Sequence, residues 1–151
     1  MFLQIEDLPS VIYNYQLEQI TEGNDAIIST ALAAAQEEAR SYLTANNMHE
    51  FMDGRFVYDT EAIFAATGNQ RNALILQHCI VLAKWHLIIL CNADVIYEQA
   101  KERYDRSIDW LTKLAKGDVS LTILPIIKIT DDQQEEQQPF SYGSRRKFNH
   151  E

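Results

Sequence analysis

Residues 71–116, RNALILQHCIVLAKWHLIILCNADVIYEQAKERYDRSIDWLTKLAK, decide the architecture. Arg71–Cys91 is the most apolar run in the chain, with Leu74, Ile75, Leu76, Ile80, Leu82, Leu87, Ile88 and Leu90 spread around a helix. A helix that is apolar all round is one enclosed by others. Asn92-Ala93-Asp94 breaks the run, and Asp94 is placed to cap a second helix beginning at Val95. That helix is amphipathic: Ile96, Ala100, Tyr104, Ile108, Leu111 and Ala115 recur at three- and four-residue steps, with Glu98, Glu102, Asp105 and Asp109 mostly elsewhere. Two helices of about twenty residues with so short a connection make an antiparallel hairpin.

Outward from the hairpin, Asp25–Asn46 reads as another long helix with Asn24 as its N-cap. Ile28, Leu32, Ala35, Ala39, Tyr42 and Leu43 form its apolar stripe, Glu37, Arg40, Ser41 and Thr44 lie opposite, and the alanines at 31–35 permit close helix approach. Before it, residues 1–23 form a lead-in with short helical pieces around Glu6–Pro9 and Tyr15–Ile20. Met48–Gln70 is a long loop in which Arg55–Tyr58 looks extended and Thr60–Ala66 makes two helical turns, stopped by Gly68. Gly117 stands at the C′ position of the second hairpin helix.

After Gly117 the character changes. Val119, Leu121 and Ile123 alternate, Pro125 interrupts, and Ile126, Ile127 and Ile129 follow: strand-like sequence with no evident partner strand in the chain. It reads either as an interaction arm, with these six residues as the partner-binding set, or as a hydrophobic strap folded back on the hairpin. Asp131–Gln138 is acidic low-complexity sequence, expected to be disordered, and the last residues carry aromatics and the basic cluster Arg145-Arg146-Lys147. The chain is therefore read as all-α: a small helical bundle built on an antiparallel helical hairpin over residues 1–117, then an extended C-terminal arm and tail over 118–151.

Length and composition agree. A chain of 151 residues suits one domain with a tail, and five glycines with three prolines leave little material for a many-turned sandwich. A net charge of −9 argues against a broad nucleic-acid surface, which needs clustered Lys and Arg. Cys79 and Cys91 lie about 18 Å apart along one helix, too far for a disulfide, and read as reduced, buried thiols of a cytosolic folding environment. Met1–Asp7 lacks the pattern of a signal peptide, and Cys79–Cys91 is too short for a membrane span and holds Lys84 and His86, so a soluble protein is expected.

Chemistry is sparse. His78, Cys79, His86 and Cys91 do not fall at the three- or four-residue spacing of helical metal ligands, and core residues explain them better. No nucleophile elbow or phosphate-binding glycine loop is present, and Glu37-Glu38 and Asp105…Asp109 read as helix-surface charge. No enzyme activity, cofactor or metal is expected. The aromatics Trp85, Tyr97, Tyr104 and Trp110 read mainly as inter-helix packing, with Trp110 and Tyr97 also suited to anchor an interface.

The motifs then carry a resemblance. Phe2…Glu6-Asp7-Leu8…Ile20-Thr21, the Ala31…Ala35…Glu38…Tyr42-Leu43 helix with Arg55-Phe56 after it, and above all Tyr97-Glu98-x-Ala100-x-x-Arg103-Tyr104…Trp110-Leu111-x-x-Leu114-Ala115-x-Gly117 resemble the Mu-like tailed-phage head proteins, related to head–tail connector (head-completion) proteins. The likeness covers about residues 2–121; Val57–Gln70 is longer than the family pattern and the tail after Pro125 matches no motif of it. The resemblance implies a structural virion protein, made in the bacterial host cytoplasm. It implies a homo-oligomeric ring on the portal protein that extends the DNA channel, with DNA passing nearby without sequence-specific binding, and no catalytic residues. A non-viral helical adaptor and a small metal-assisted enzyme using His78 or His86 are the other classes open to such a sequence.

Overall fold

The structure is a computed structural model that describes residues 1–48, 54–91 and 97–128. Among the described residues five α-helices succeed one another: α1 (Asn14–Thr21), α2 (Asp25–Asn47), α3 (Thr60–Ala65), α4 (Ala73–Leu90) and α5 (Tyr97–Lys116), with 3-10 turns at Ile5–Ser10 and Gly68–Gln70. It is an all-α helical bundle. Three helices begin on side-chain caps. Asn24 accepts from the Ala26 N–H, Asp59 from Ala62, and Asn72 from both Leu74 and Ile75, satisfying donors that a helix start leaves open. The expected cap Asp94 and the connection around it lie outside the described residues.

α2, α4 and α5 pack against one another in all three pairs. The pairings of His78 with Trp110 and of Trp85 with Tyr104 step in opposite directions along the chain, so α4 and α5 are an antiparallel hairpin. On α2 the fully buried positions Ala31, Ala35 and Ala39 let the backbone come close, while Ile28, Leu32 and Leu43 fill the space between. Ile75, Cys79, Leu82 and Leu87 of α4 and Leu111 and Leu114 of α5 meet them, and Phe2, Leu3 and Leu8 close the core from the N-terminal lead-in. That lead-in is pinned electrostatically. Arg71 donates to both Asp7 carboxylate oxygens at 2.6 and 3.0 Å and to the Phe2 carbonyl at 2.9 Å.

Two expectations need correction. α4 is not enclosed on every side: Leu74, Ile89 and Leu90 are exposed, because α2 and α5 cover only part of its circumference. Its 18 residues, with a mean hydropathy of 1.8, also make it long and apolar enough to cross a membrane by length and composition, more than the shorter run suggests. Its buried face is nonetheless part of the bundle core, and Lys84 and His86 on it bond to the Val11 carbonyl and to Glu38.

The second correction concerns the segment after Gly117. It turns at Thr122-Ile123, and around Ile126 it pairs with a partner within the chain. The Asp59 N–H donates to the Pro125 carbonyl at 2.9 Å, the Ile127 N–H to Val57 at 2.7 Å, and Tyr58 and Ile126 form an antiparallel bridge. Leu124 is buried and Leu121 packs on the core, so both join the bundle beyond Gly117. On its other edge the 56–58 segment is held by α2: Asn47 exchanges two bonds with the Tyr58 backbone and Asn46 donates to the Phe56 carbonyl. Two asparagines thereby take the place of a third strand, satisfying backbone groups that burial would otherwise leave unpaired. The expectations for Ile129, the acidic stretch 131–138 and the basic cluster 145–147 fall outside the described residues.

Candidate functional site

The side chains singled out by sequence gather along the α4–α5 seam. Trp85 sits between two tyrosines of α5, its ring centroid 5.3 Å from Tyr97 and 5.1 Å from Tyr104. Two turns of α4 earlier, His78 stacks on Trp110 at 4.4 Å with 15° between the planes. Trp85, Tyr104 and Trp110 are half-buried; Tyr97, at the connected end of the hairpin, is 46% exposed and is the one of these four best placed to meet another surface.

A polar triad crosses behind these rings. The Tyr104 hydroxyl donates to Glu38 Oε1 at 2.8 Å, and Glu38 Oε2 lies 2.7 Å from His86 Nε2, so one carboxylate of α2 ties α4 to α5. The bond to His86 holds the Glu38 carboxyl below its ordinary range despite burial, with Tyr104 helping. Burial and the same carboxylate raise the Tyr104 phenol far above its ordinary value, so it is a fixed donor. Glu37 is surface charge, as read; Glu38 is not, and that reading is corrected. The signal was present: Glu38 falls three residues after Ala35 and four before Tyr42, inside the apolar stripe of α2.

The cysteines and histidines do not converge. Cys79 is fully buried, and burial pushes its thiol up to about 12; Cys91 is half-buried at the other end of α4. His86 is engaged by Glu38, whereas neither ring nitrogen of His78 has a hydrogen-bond partner among the described residues. Burial lowers the pKa of His78 and favours its neutral form. Among the described residues no three His, Cys, Asp or Glu side chains stand close enough to hold a metal ion.

Beside the seam a groove of about 760 Å3 runs between α4 and α5, floored by Leu76, Ile80, Val81 and Trp110 and rimmed by Arg103 and Arg106. Arg106 pairs with Glu102 of its own helix. Lys84, on the same side, donates to the Val11 carbonyl at 2.8 Å. Burial and the nearby Arg103 charge both lower its pKa. Sequence reading did not register this basic rim, because Arg103 and Arg106 of α5 each look like ordinary surface charge.

The C-terminal residues proposed as partner-binding are divided by the fold. Val119 is half-buried; Leu121 is half-buried and its N–H donates to the Tyr58 hydroxyl at 2.8 Å. Ile123 is 87% exposed, and Ile126 and Ile127 are exposed as well, while Leu124, absent from the sequence-derived set, is buried. The fold and seam define an all-α bundle with an aromatic inter-helix seam and a C-terminal strap. No family model, curated protein or solved structure matches the chain.

Proposed function

We propose that this chain is a structural subunit of a tailed-phage virion: a head–tail connector or head-completion protein that assembles as a ring on the portal. The motif order over residues 2–121 brings the reading. One structural observation supports it most: two separate apolar surfaces lie at opposite ends of α4. Ile89, Leu90 and Tyr97 are exposed at the hairpin end, and Ile123, Ile126 and Ile127 at the strap end, where Ile123 and Pro125 share a small pocket with Ala73. The 18 residues of α4 separate them by about 27 Å. Ring contacts are heterologous, one patch meeting a different one on the neighbour, and need two such surfaces. A net charge of −9 fits a wall that DNA passes without adhering.

The test is to mix purified chain with portal rings and examine the product by electron microscopy and sedimentation. The proposal expects an added ring of density on the portal and concentration-dependent assembly of the free chain. A strict monomer that never binds portal would replace it with the adaptor reading.

A further inference from the structure

The groove between α4 and α5 combines two features that ask for a particular occupant. Its floor is apolar and aromatic, through Leu76, Ile80, Val81 and Trp110. Its rim carries positive charge: Arg103 and Arg106 line it, Arg106 pairs with Glu102, and among the described residues Arg103 has no carboxylate partner, although acidic residues outnumber Lys and Arg by 22 to 13 in the chain. The matching ligand is an extended peptide with several carboxylates beside aromatic side chains. The chain contains one such sequence. Asp131, Asp132, Glu135 and Glu136 come without an intervening basic residue and are followed by Phe140 and Tyr142. We propose that the groove is the docking site of this chain's own acidic–aromatic segment, Asp131–Tyr142.

Chain length permits it. The strap at Pro125 and the groove both touch Ala73, so the strap passes near the groove's end three residues before Lys128. From Lys128 to Tyr142 is 14 residues, about 46 Å when extended, against roughly 12 Å of α4 between Ala73 and Val81. Tethering raises the effective concentration of the segment at the groove into the millimolar range, about where a modest charge-assisted contact is largely formed. Carboxylates beside Arg103 supply steering and charge-assisted bonds, and an aromatic ring on the Trp110 side supplies apolar contact. This inference does not depend on the phage reading.

The experiment uses full-length chain and a fluorescently labelled peptide of residues 131–142, read by anisotropy. In a variant with Asp131, Asp132, Glu135 and Glu136 all changed to Lys, the chain's own tail no longer competes, and the peptide should bind at least about tenfold more tightly than to the unaltered protein. Adding Arg103→Glu to that variant, at an exposed position, should abolish binding without changing the helical circular dichroism. A peptide carrying Phe140→Ala and Tyr142→Ala should lose about tenfold in affinity. Equal binding to both proteins, binding indifferent to Arg103→Glu, or no binding to either protein overturns the proposal. Tail-dependent self-association that grows with protein concentration would also overturn it, by placing the segment on a neighbouring copy.

Discussion

Glu38 shows how one residue sets the arrangement of three helices. It stands on α2, accepts from Tyr104 of α5 and bonds His86 of α4, so its loss leaves two half-buried polar groups without a partner. Glu38→Ala should cost about 1–3 kcal/mol in urea unfolding, the penalty for orphaning such groups. The pH dependence has a defined sign. The folded state holds the Glu38 carboxyl below its ordinary 4.5, and it holds Asp7 below 3.8, where burial works against the charge but Arg71 and the Gln4 N–H outweigh it. Between the folded and unfolded pKa values the unfolded chain binds more protons, so stability is full above about pH 5 and fades as pH falls through the carboxylate range. Glu38→Ala should flatten that acid limb. Trp85 illustrates a second residue-scale lesson. A helix read as apolar all round makes Trp85 look enclosed, yet it lies half-exposed between two tyrosines. Trp85→Ala should therefore shift the unfolding free energy by about 2 kcal/mol, below the roughly 3–5 kcal/mol of a fully buried tryptophan.

At the scale of elements, the helices were legible because their signals are local. Asn24 caps α2 and Gly117 ends α5, with φ of +80° and its N–H on the Leu114 carbonyl. A Cβ on Gly117 would also collide with the Arg55 side chain, which donates to the Ala115 carbonyl, so Gly117→Ala should cost at least about 1 kcal/mol from the positive φ and the displaced Arg55, read as a lowered melting temperature. The strap was only half legible. The strand-like composition of Arg55–Tyr58 and of the stretch after Gly117 was visible, but their pairing spans 68 residues between Tyr58 and Ile126 and leaves no periodic trace. Nor does alternation identify Leu124 as the buried position, because a turn at Thr122-Ile123 interrupts the extended register before Pro125. Leu124→Ala should cost about 2–4 kcal/mol. Tyr58→Phe, which removes the hydroxyl accepting from Leu121, should cost about 1 kcal/mol. If neither moves the denaturation midpoint, the strap is not part of the folded unit.

For the whole molecule, the bundle was readable because two amphipathic helices and one apolar helix of comparable length admit few packings, whereas the surfaces for assembly were not. Exposure of Ile89 and Leu90 depends on how much of α4 its neighbours cover, and an apolar helix looks alike from the sequence whether or not one flank stays bare. The two apolar ends give the ring proposal a sharp consequence. Suppose the hairpin end of one copy meets the strap end of the next. Leu90→Lys spoils one half of every contact and Ile127→Asp the other, so each variant alone should sediment as a monomer under conditions where the unaltered chain assembles. Both residues are about half exposed, so neither change should move the melting temperature by more than a few degrees. In a mixture, the intact strap end of the first variant still fits the intact hairpin end of the second. Heterodimers should then form and grow no further, because each dimer presents only spoiled surfaces outward. An isologous contact behaves differently: if each end pairs with its own kind, either variant alone would still dimerise through its untouched end. Sedimentation of the two variants, separately and mixed, therefore separates ring-type assembly from simple pairing, and dimers of a single variant would sink the heterologous arrangement.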